Sequence, residues 1–367
     1  MKVSRVRHHI LRDFRGRKLN VDELGGLSRS QEVRDHLVAF TSLLYHPGEG
    51  QLYCGITAFN NDILHRFDPR TKQFESLRYE EIADPYEVKI HRSLELAPDG
   101  TIYGASACLY SVNERLRAPG GALFRLRPGG GRPEKFAVPV EHDYIQTISL
   151  DSERGLIYGQ SYPVFQFFVY HLQTSEVENY GFIGSITHIS AIDDAGCFWG
   201  TWDQNAHRLF KYDPDARRIH WFSHGLPNAR AESNMMYAGA GPVDVMLNGG
   251  DGFLYVGTTG GSLCRINPSN AEVEYLGRPA PTTRLPALSV WKGSLLLGVV
   301  GDDEGGMVFA YDRETRGFHP LGRIVDSETG LKLYRVHDMA IVGNSVYIAE
   351  TDVPDRSGYL WECELEV

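Results

Sequence analysis

No run of about 18 apolar residues occurs in the 367-residue chain, so no segment is apolar enough for long enough to span a bilayer as a helix. The N-terminal stretch MKVSRVRHHILRDFRGRKLN lacks an apolar core and a small-residue cleavage site and does not read as a secretory leader. There is no Cys-x-x-Cys pair. The five cysteines, Cys54, Cys108, Cys197, Cys264 and Cys363, are odd in number and mostly set in strand-like runs. That excludes a disulfide framework as the organising principle and points to free thiols in a reducing, cytoplasmic setting. Basic residues are the minority, 37 Lys and Arg against 47 Asp and Glu, for a net charge of −10. Such a balance disfavours general nucleic-acid binding and anionic membranes. Gly-x-Ser-x-Gly, a Walker loop, a βαβ Gly-x-Gly-x-x-Gly, His-Glu-x-x-His and an Asp-x-Asp-x-Asp-Gly loop are all missing. Serine-nucleophile, nucleotide-binding, zinc-protease and calcium-loop chemistry therefore have no motif to stand on.

What is present is a repeat. One phrase, a strand followed by a polar turn and a second strand, occurs as ILHRFDPRTKQFESL, ALFRLRPGGGRPEKFAV, QFFVYHLQTSEVENYG, RLFKYDPDARRIHWFS, SLCRINPSNAEVEYLG and MVFAYDRETRGFHPLG. A seventh copy, YLWECELEV, stops halfway. Each copy follows a second phrase that reads as a hairpin, such as LELAPDGTIYG, ISLDSERGLIYG or SAIDDAGCFWG. Asp-Pro, Asn-Pro and Asp-x-x-Thr suit reversals between antiparallel strands. Seven pairs of phrases make seven units of four strands, with Arg66, Arg125, Val169, Lys211, Arg265, Ala310 and Glu362 at equivalent positions. A four-strand repeat of roughly 40–50 residues is the period of a β-propeller blade. The expectation is an all-β, seven-bladed β-propeller forming a single domain over residues 1–367. The seventh unit lacks its outermost strand, and VSRVRHHIL (3–11), within residues 1–20, is predicted to supply it and close the ring.

In such a fold the first strand of each blade lines a central channel. Counting back from the hairpins puts Thr41, Arg92, Gln146, His188 and His337 near the start of that strand, with Asp244 and Ala287 the nearest equivalents in the fifth and sixth units. Arg92, Gln146, His188 and His337 are expected together at a solvated channel mouth, with His91 beside Arg92 and Arg335 close to His337. A mixture of His and Arg suits an anionic ligand, because guanidinium binds carboxylate or phosphate through two parallel hydrogen bonds. Two loops leading into first strands are long, 78–90 and 224–242, and long loops on one face usually carry function. Tyr110, Tyr162, Trp202 and Tyr237 offer flat apolar surfaces for sugar rings. Arg115, Asp203, Asn205 and Arg356 suit hydroxyls or carboxylates.

The loose blades with Tyr-Asp-Pro-x-Thr turns resemble those of bacterial propellers. In overall plan and loop chemistry the chain resembles propeller-type polysaccharide and oligosaccharide lyases, of the oligogalacturonate-lyase and ulvan-lyase kinds. The resemblance implies β-elimination of an acidic, uronate-containing carbohydrate, with a related glycosidase as a variant. β-Elimination requires a base, a group that neutralises the carboxylate and an acid for the leaving oxygen. His188, His337, His91 and Tyr162 are the candidate acids and bases. Arg92, Gln146, Trp202, Tyr237, Tyr110, Arg335 and Arg356 are the candidate substrate contacts. A histidine near its ordinary pKa of about 6.5 is available as a base. The resemblance also raises a divalent metal ion as cofactor, left unassigned here, with Gln146, His188 and His337 as candidate ligands. The expected partner is an acidic carbohydrate or another small anion, not nucleic acid or membrane. A non-catalytic ligand- or protein-binding propeller is the competing expectation. A calcium-dependent lactonase-like propeller ranks third, since it requires acidic ligands.

Overall fold

The computed structural model describes residues 1–15, 31–108, 112–129, 131–203, 207–227, 243–302 and 304–367. Among them, seven antiparallel sheets follow one another along the chain, at residues 38–76, 94–137, 144–182, 191–225, 243–277, 287–323 and 336–366 with 2–9. In six of them the strands pair in chain order, first to fourth, as a propeller blade requires, and in the seventh the N-terminal strand takes the fourth place. The fold is the seven-bladed β-propeller expected from the repeat. The chain forms two compact units: residues 1–148 with 324–367, holding the first, second and seventh sheets, and residues 149–323. No helix among the described residues is long and apolar enough to cross a membrane.

The repeated phrases fold this way for local reasons. In four blades the second-strand glycine faces a third-strand phenylalanine across the ladder: Gly104 with Phe124, Gly159 with Phe168, Gly200 with Phe210 and Gly298 with Phe309. A Cβ on any of these glycines would stand 2.2–2.7 Å from the ring, so only glycine lets the ring lie flat over the neighbouring strand. In at least three blades the reversal before the fourth strand is an Asx turn. Asp68 Oδ1 accepts from the Arg70 and Thr71 amides, Asp213 Oδ1 from Asp215 and Ala216, and Asp312 Oδ1 from Glu314 and Thr315.

The seventh sheet is assembled from both ends of the chain. Lys2–His9 pairs antiparallel with Leu360–Glu366, placing Val6 opposite Cys363 and His9 opposite Leu360. Side chains lock the pairing: His8 Nδ1 lies 2.8 Å from Asp326 and His9 Nε2 lies 2.9 Å from Glu362. Burial alone would raise the Glu362 carboxyl. Hydrogen bonds from His9, Lys72 and Tyr347 hold it down at about 2 instead. The segment then continues along the sheet, with the Ser357 amide donating to Phe14 O.

One feature departs from the repeat. The first sheet carries two further short strands, Glu87–Lys89 and Ala107–Cys108, hooked on where Thr57 pairs with Lys89. The sequence reads both segments as loops; each is too short, and too dependent on a distant partner, to announce itself as a strand. Cys54, Cys197, Cys264 and Cys363 are buried and form no disulfide.

Candidate functional site

Within the first unit the starts of three first strands converge. Thr41 and His337 each sit at a β-bulge, where the register slips by one residue and re-aims the side chain. Arg92 precedes its strand with φ of +45°, a left-handed conformation that costs an arginine energy and is held by its surroundings, including its amide's bond to Thr41 O. Its Nε lies 3.1 Å from His337 Nδ1, and the same Nδ1 lies 2.8 Å from the Thr41 carbonyl. Arg92 Nε only donates and a carbonyl only accepts, so Nδ1 makes one of these hydrogen bonds or the other according to the tautomer: protonated, it donates to Thr41 O and leaves Nε2 as the basic nitrogen; unprotonated, it accepts from Arg92. The His337 and His91 rings meet edge to face at 4.7 Å. His91 Nδ1 donates to Gln146 O at 2.8 Å, and its Nε2 lies 3.3 Å from Gln146 Nε2. The Gln146 Oε1 atom is buried with no hydrogen-bond partner among the described residues. Arg92, His337, His91 and Gln146 thus form one connected cluster.

This cluster is not the solvated mouth the sequence suggests. His337, His91 and Arg92 are 2%, 4% and 4% exposed, and His188 in the second unit is 3% exposed. Truncating His188 or His337 should therefore cost stability, since both are enclosed and hydrogen-bonded.

In the second unit, His188 Nδ1 lies 3.0 Å from Asp244 Oδ1. Asp244 also accepts two parallel hydrogen bonds from Arg284, at 2.8 and 2.9 Å. Asp244 sits at a bulge like that of Thr41 and His337. Arg284 repeats the left-handed conformation of Arg92, with φ of +68°. The carboxylate holds the imidazole with its proton on Nδ1, as in a His–Asp pair. Arg284 is a member of this triad that the sequence reading missed. It stands three residues before the strand that begins at Ala287, and no spacing marks it.

The remaining candidates are scattered. Arg356 is buried and committed to Glu350 through two bonds of 2.7 and 2.8 Å, with its guanidinium over the Tyr359 ring. Arg115 pairs with Asp143, and Arg335 pairs with Asp352 at 3.3 Å. Tyr162 is half-buried against Phe165. Trp202 donates to Phe222 O and packs edge to face on Trp221. Tyr110, Asn205 and Tyr237 lie outside the described residues.

The candidate metal ligands do not make a metal site. Among the described residues no three His, Cys, Asp or Glu side chains converge on one point. Of the named donors, Gln146 and His337 belong to the first unit and His188 to the second. A guanidinium against the His337 ring, moreover, is poor company for a cation.

Two carboxyls near this region are held far from their usual range. Burial, reinforced by the Asp338 charge, pushes the Glu95 carboxyl up to about 8. Burial likewise raises Asp338 to about 6, despite amide bonds from Leu43 and Met339 and the nearby Arg92 charge. A raised carboxyl binds its proton more tightly when folded, so its stabilisation is complete below the unfolded pKa and is lost as pH rises through the folded one. Glu95 should therefore cost the fold stability progressively between about 4.5 and 8. Glu95→Gln should unfold several degrees above the parent at pH near 8 and close to it at acid pH. Thermal melts across that range check this, and parallel curves for the two proteins would refute it.

No known protein family matches the chain. No curated protein matches it either. Solved structures do. The WD40 repeats of RRP9 superpose with a TM-score of 0.60 at 11% identity, over 91% of this chain and 96% of that one. The extracellular domain of a hybrid two-component system of B. thetaiotaomicron gives a TM-score of 0.54 at 14% identity, over 88% of this chain. The chain spans 40% of the length of that extracellular domain. At such identities the likeness is one of fold: a β-propeller, reached here without the Gly-His and Trp-Asp signature of WD repeats.

Proposed function

We propose that the chain is a carbohydrate-active propeller that takes a uronate-containing oligo- or polysaccharide at the first-unit cluster and cleaves it as a lyase. The observation that carries this reading is the pairing of a strained, buried Arg92 with His337, whose ring meets His91 of the His91–Gln146 pair edge to face. Arg92 is the group that neutralises the uronate carboxylate, which makes the neighbouring C–H acidic. His337, in the tautomer whose Nδ1 donates to Thr41 O, takes that proton on Nε2. The electron pair forms the C=C bond, the C–O bond to the next sugar breaks, and the leaving oxygen gains a proton. A glycosidase would need two carboxylates astride the bond, whereas this cluster is built of His, Arg and Gln. The buried thiols, which form no disulfide, support a reducing compartment such as the cytoplasm.

The enclosure of the histidines favours a second reading, a propeller that binds an acidic ligand without turning it over. Incubation with polygalacturonate separates the two. The lyase reading expects ultraviolet absorbance from unsaturated uronate to rise with the parent protein and to fall by at least about 100-fold in rate with Arg92→Lys, which keeps the charge but not the fork. Saturable binding without any rise in absorbance would leave the binding reading in its place.

A further inference from the structure

The second unit carries an exposed aromatic cluster that the lyase reading does not use. In the fourth sheet Trp202 faces Arg208 across one ladder and Phe210 faces Trp221 across the next. Arg208 and Phe210 stand two apart on one strand, so all four side chains lie on the same face of the sheet. Inward, that face packs on the third sheet through Phe198, Phe210 and Tyr212. Further out the cover ends. Trp221 is 51% exposed, although it is propped on Trp202 and Phe210 at ring-centre distances of 5.3 and 5.8 Å. Phe182, the last residue of the third sheet's outer strand, is 64% exposed. It borders the same spot: a Cβ added at Gly184 would stand 3.3 Å from the Phe182 ring and 3.5 Å from the amide of Asp203, the residue after Trp202. The Arg208 guanidinium lies over the Trp202 ring at 5.5 Å and makes no hydrogen bond or ion pair among the described residues. A guanidinium lying on a ring keeps its in-plane N–H donors available to a carboxylate.

We propose that this patch is a second carbohydrate-binding site, which takes a sugar ring of an acidic polysaccharide on Trp221 and Phe182 and its carboxylate on Arg208. Large rings left together on the surface mark a binding surface. They are flat and rigid, so they offer contact area to the apolar C–H face of a sugar at little entropic cost. The charge selects the acid. On a chain of net charge −10, a cation without a counter-charge attracts an anion where the surface as a whole repels one. Trp, Phe and Arg supply no base, so these residues hold the polymer without cleaving it. The ligand class rests on the lyase reading above. The site does not: Arg92, His337, His91 and Gln146 belong to the first unit, and Phe182, Trp202, Arg208 and Trp221 to the second.

Affinity electrophoresis of the full-length protein tests this, in gels that contain polygalacturonate or neutral dextran, with mobility read against gels without polymer. The variants are made in the parent and in an Arg92→Gln background, which silences the first-unit cluster. Polygalacturonate should retard the Arg92→Gln protein, and dextran should not. Adding Arg208→Gln, or Phe182→Ser, should weaken that binding by at least about tenfold. Both changes should leave the melting temperature within about 2 °C, because one removes a charge without a partner and the other an exposed ring. If both variants are retarded as strongly as the protein they derive from, the inference is overturned, and release of unsaturated uronate from trigalacturonate still decides the lyase reading. If the patch variants lose binding while no protein releases unsaturated uronate, the inference stands and the lyase reading falls. Equal retardation by dextran would overturn the assignment to an acid. A dimer in sedimentation that Phe182→Ser dissociates, without retardation by either polymer, would make the patch a contact between copies and overturn the inference.

Discussion

Deletion of residues 1–12 should lower the melting temperature by roughly 10 °C or more and broaden the transition. The segment contributes a complete strand, Lys2–His9, paired along its length with Leu360–Glu366. Removing it uncovers the edge of that strand and exposes the face against which Val6 is buried. It also strips Asp326 of His8 and Glu362 of His9. Both carboxyls are held at about 2 partly by those contacts, so they become buried charges with fewer donors. A deletion variant that melts with the parent would show that the N-terminal strand is dispensable.

Asp244→Ala should be nearly as damaging. Asp244 is fully buried and is the acceptor for both His188 and the two parallel bonds of Arg284, itself 3% exposed. Truncating it leaves a guanidinium enclosed without its carboxylate, which typically costs about 3–5 kcal/mol. The double variant Asp244→Ala, Arg284→Met removes the orphaned charge along with its partner and should recover a substantial part of that loss. Chemical denaturation of the parent, the two single variants and the double variant measures the coupling directly. Additive losses, or an Asp244→Ala protein as stable as the parent, would mean that the triad carries no structural weight.

Those two expectations mark where the sequence was readable and where it was not. The blade count was legible because the repeat is written in short-range physics. A glycine that must accept a phenylalanine ring, and an Asp whose carboxylate ties down the amides two and three residues on, leave their mark within a few positions. The contribution of the N-terminal strand followed from arithmetic, since the last copy was one strand short. Of the residues read as strand starts, Thr41, His337 and Asp244 each sit at a bulge of their own sheet, and Arg92 contacts Thr41 and His337. Burial was not legible. His188 and His337 look like channel-mouth residues when read along the chain, yet their enclosure depends on strands 50 to 300 residues away. Arg284 was missed for the same reason: it lies in a segment without periodicity and gains its chemical setting only from a carboxylate 40 residues away.

The first-unit cluster is proposed to recognise the charge of an acidic sugar through Arg92. The most direct measurement is the affinity of the parent and of Arg92→Gln for oligogalacturonate and for its methyl ester, which keeps the rings and removes the charge. The parent should prefer the acid by at least about tenfold, and Arg92→Gln should lose that preference while its affinity for the ester changes little. A parent protein that binds acid and ester equally, or an Arg92→Gln protein that discriminates as well as the parent, would contradict the claim.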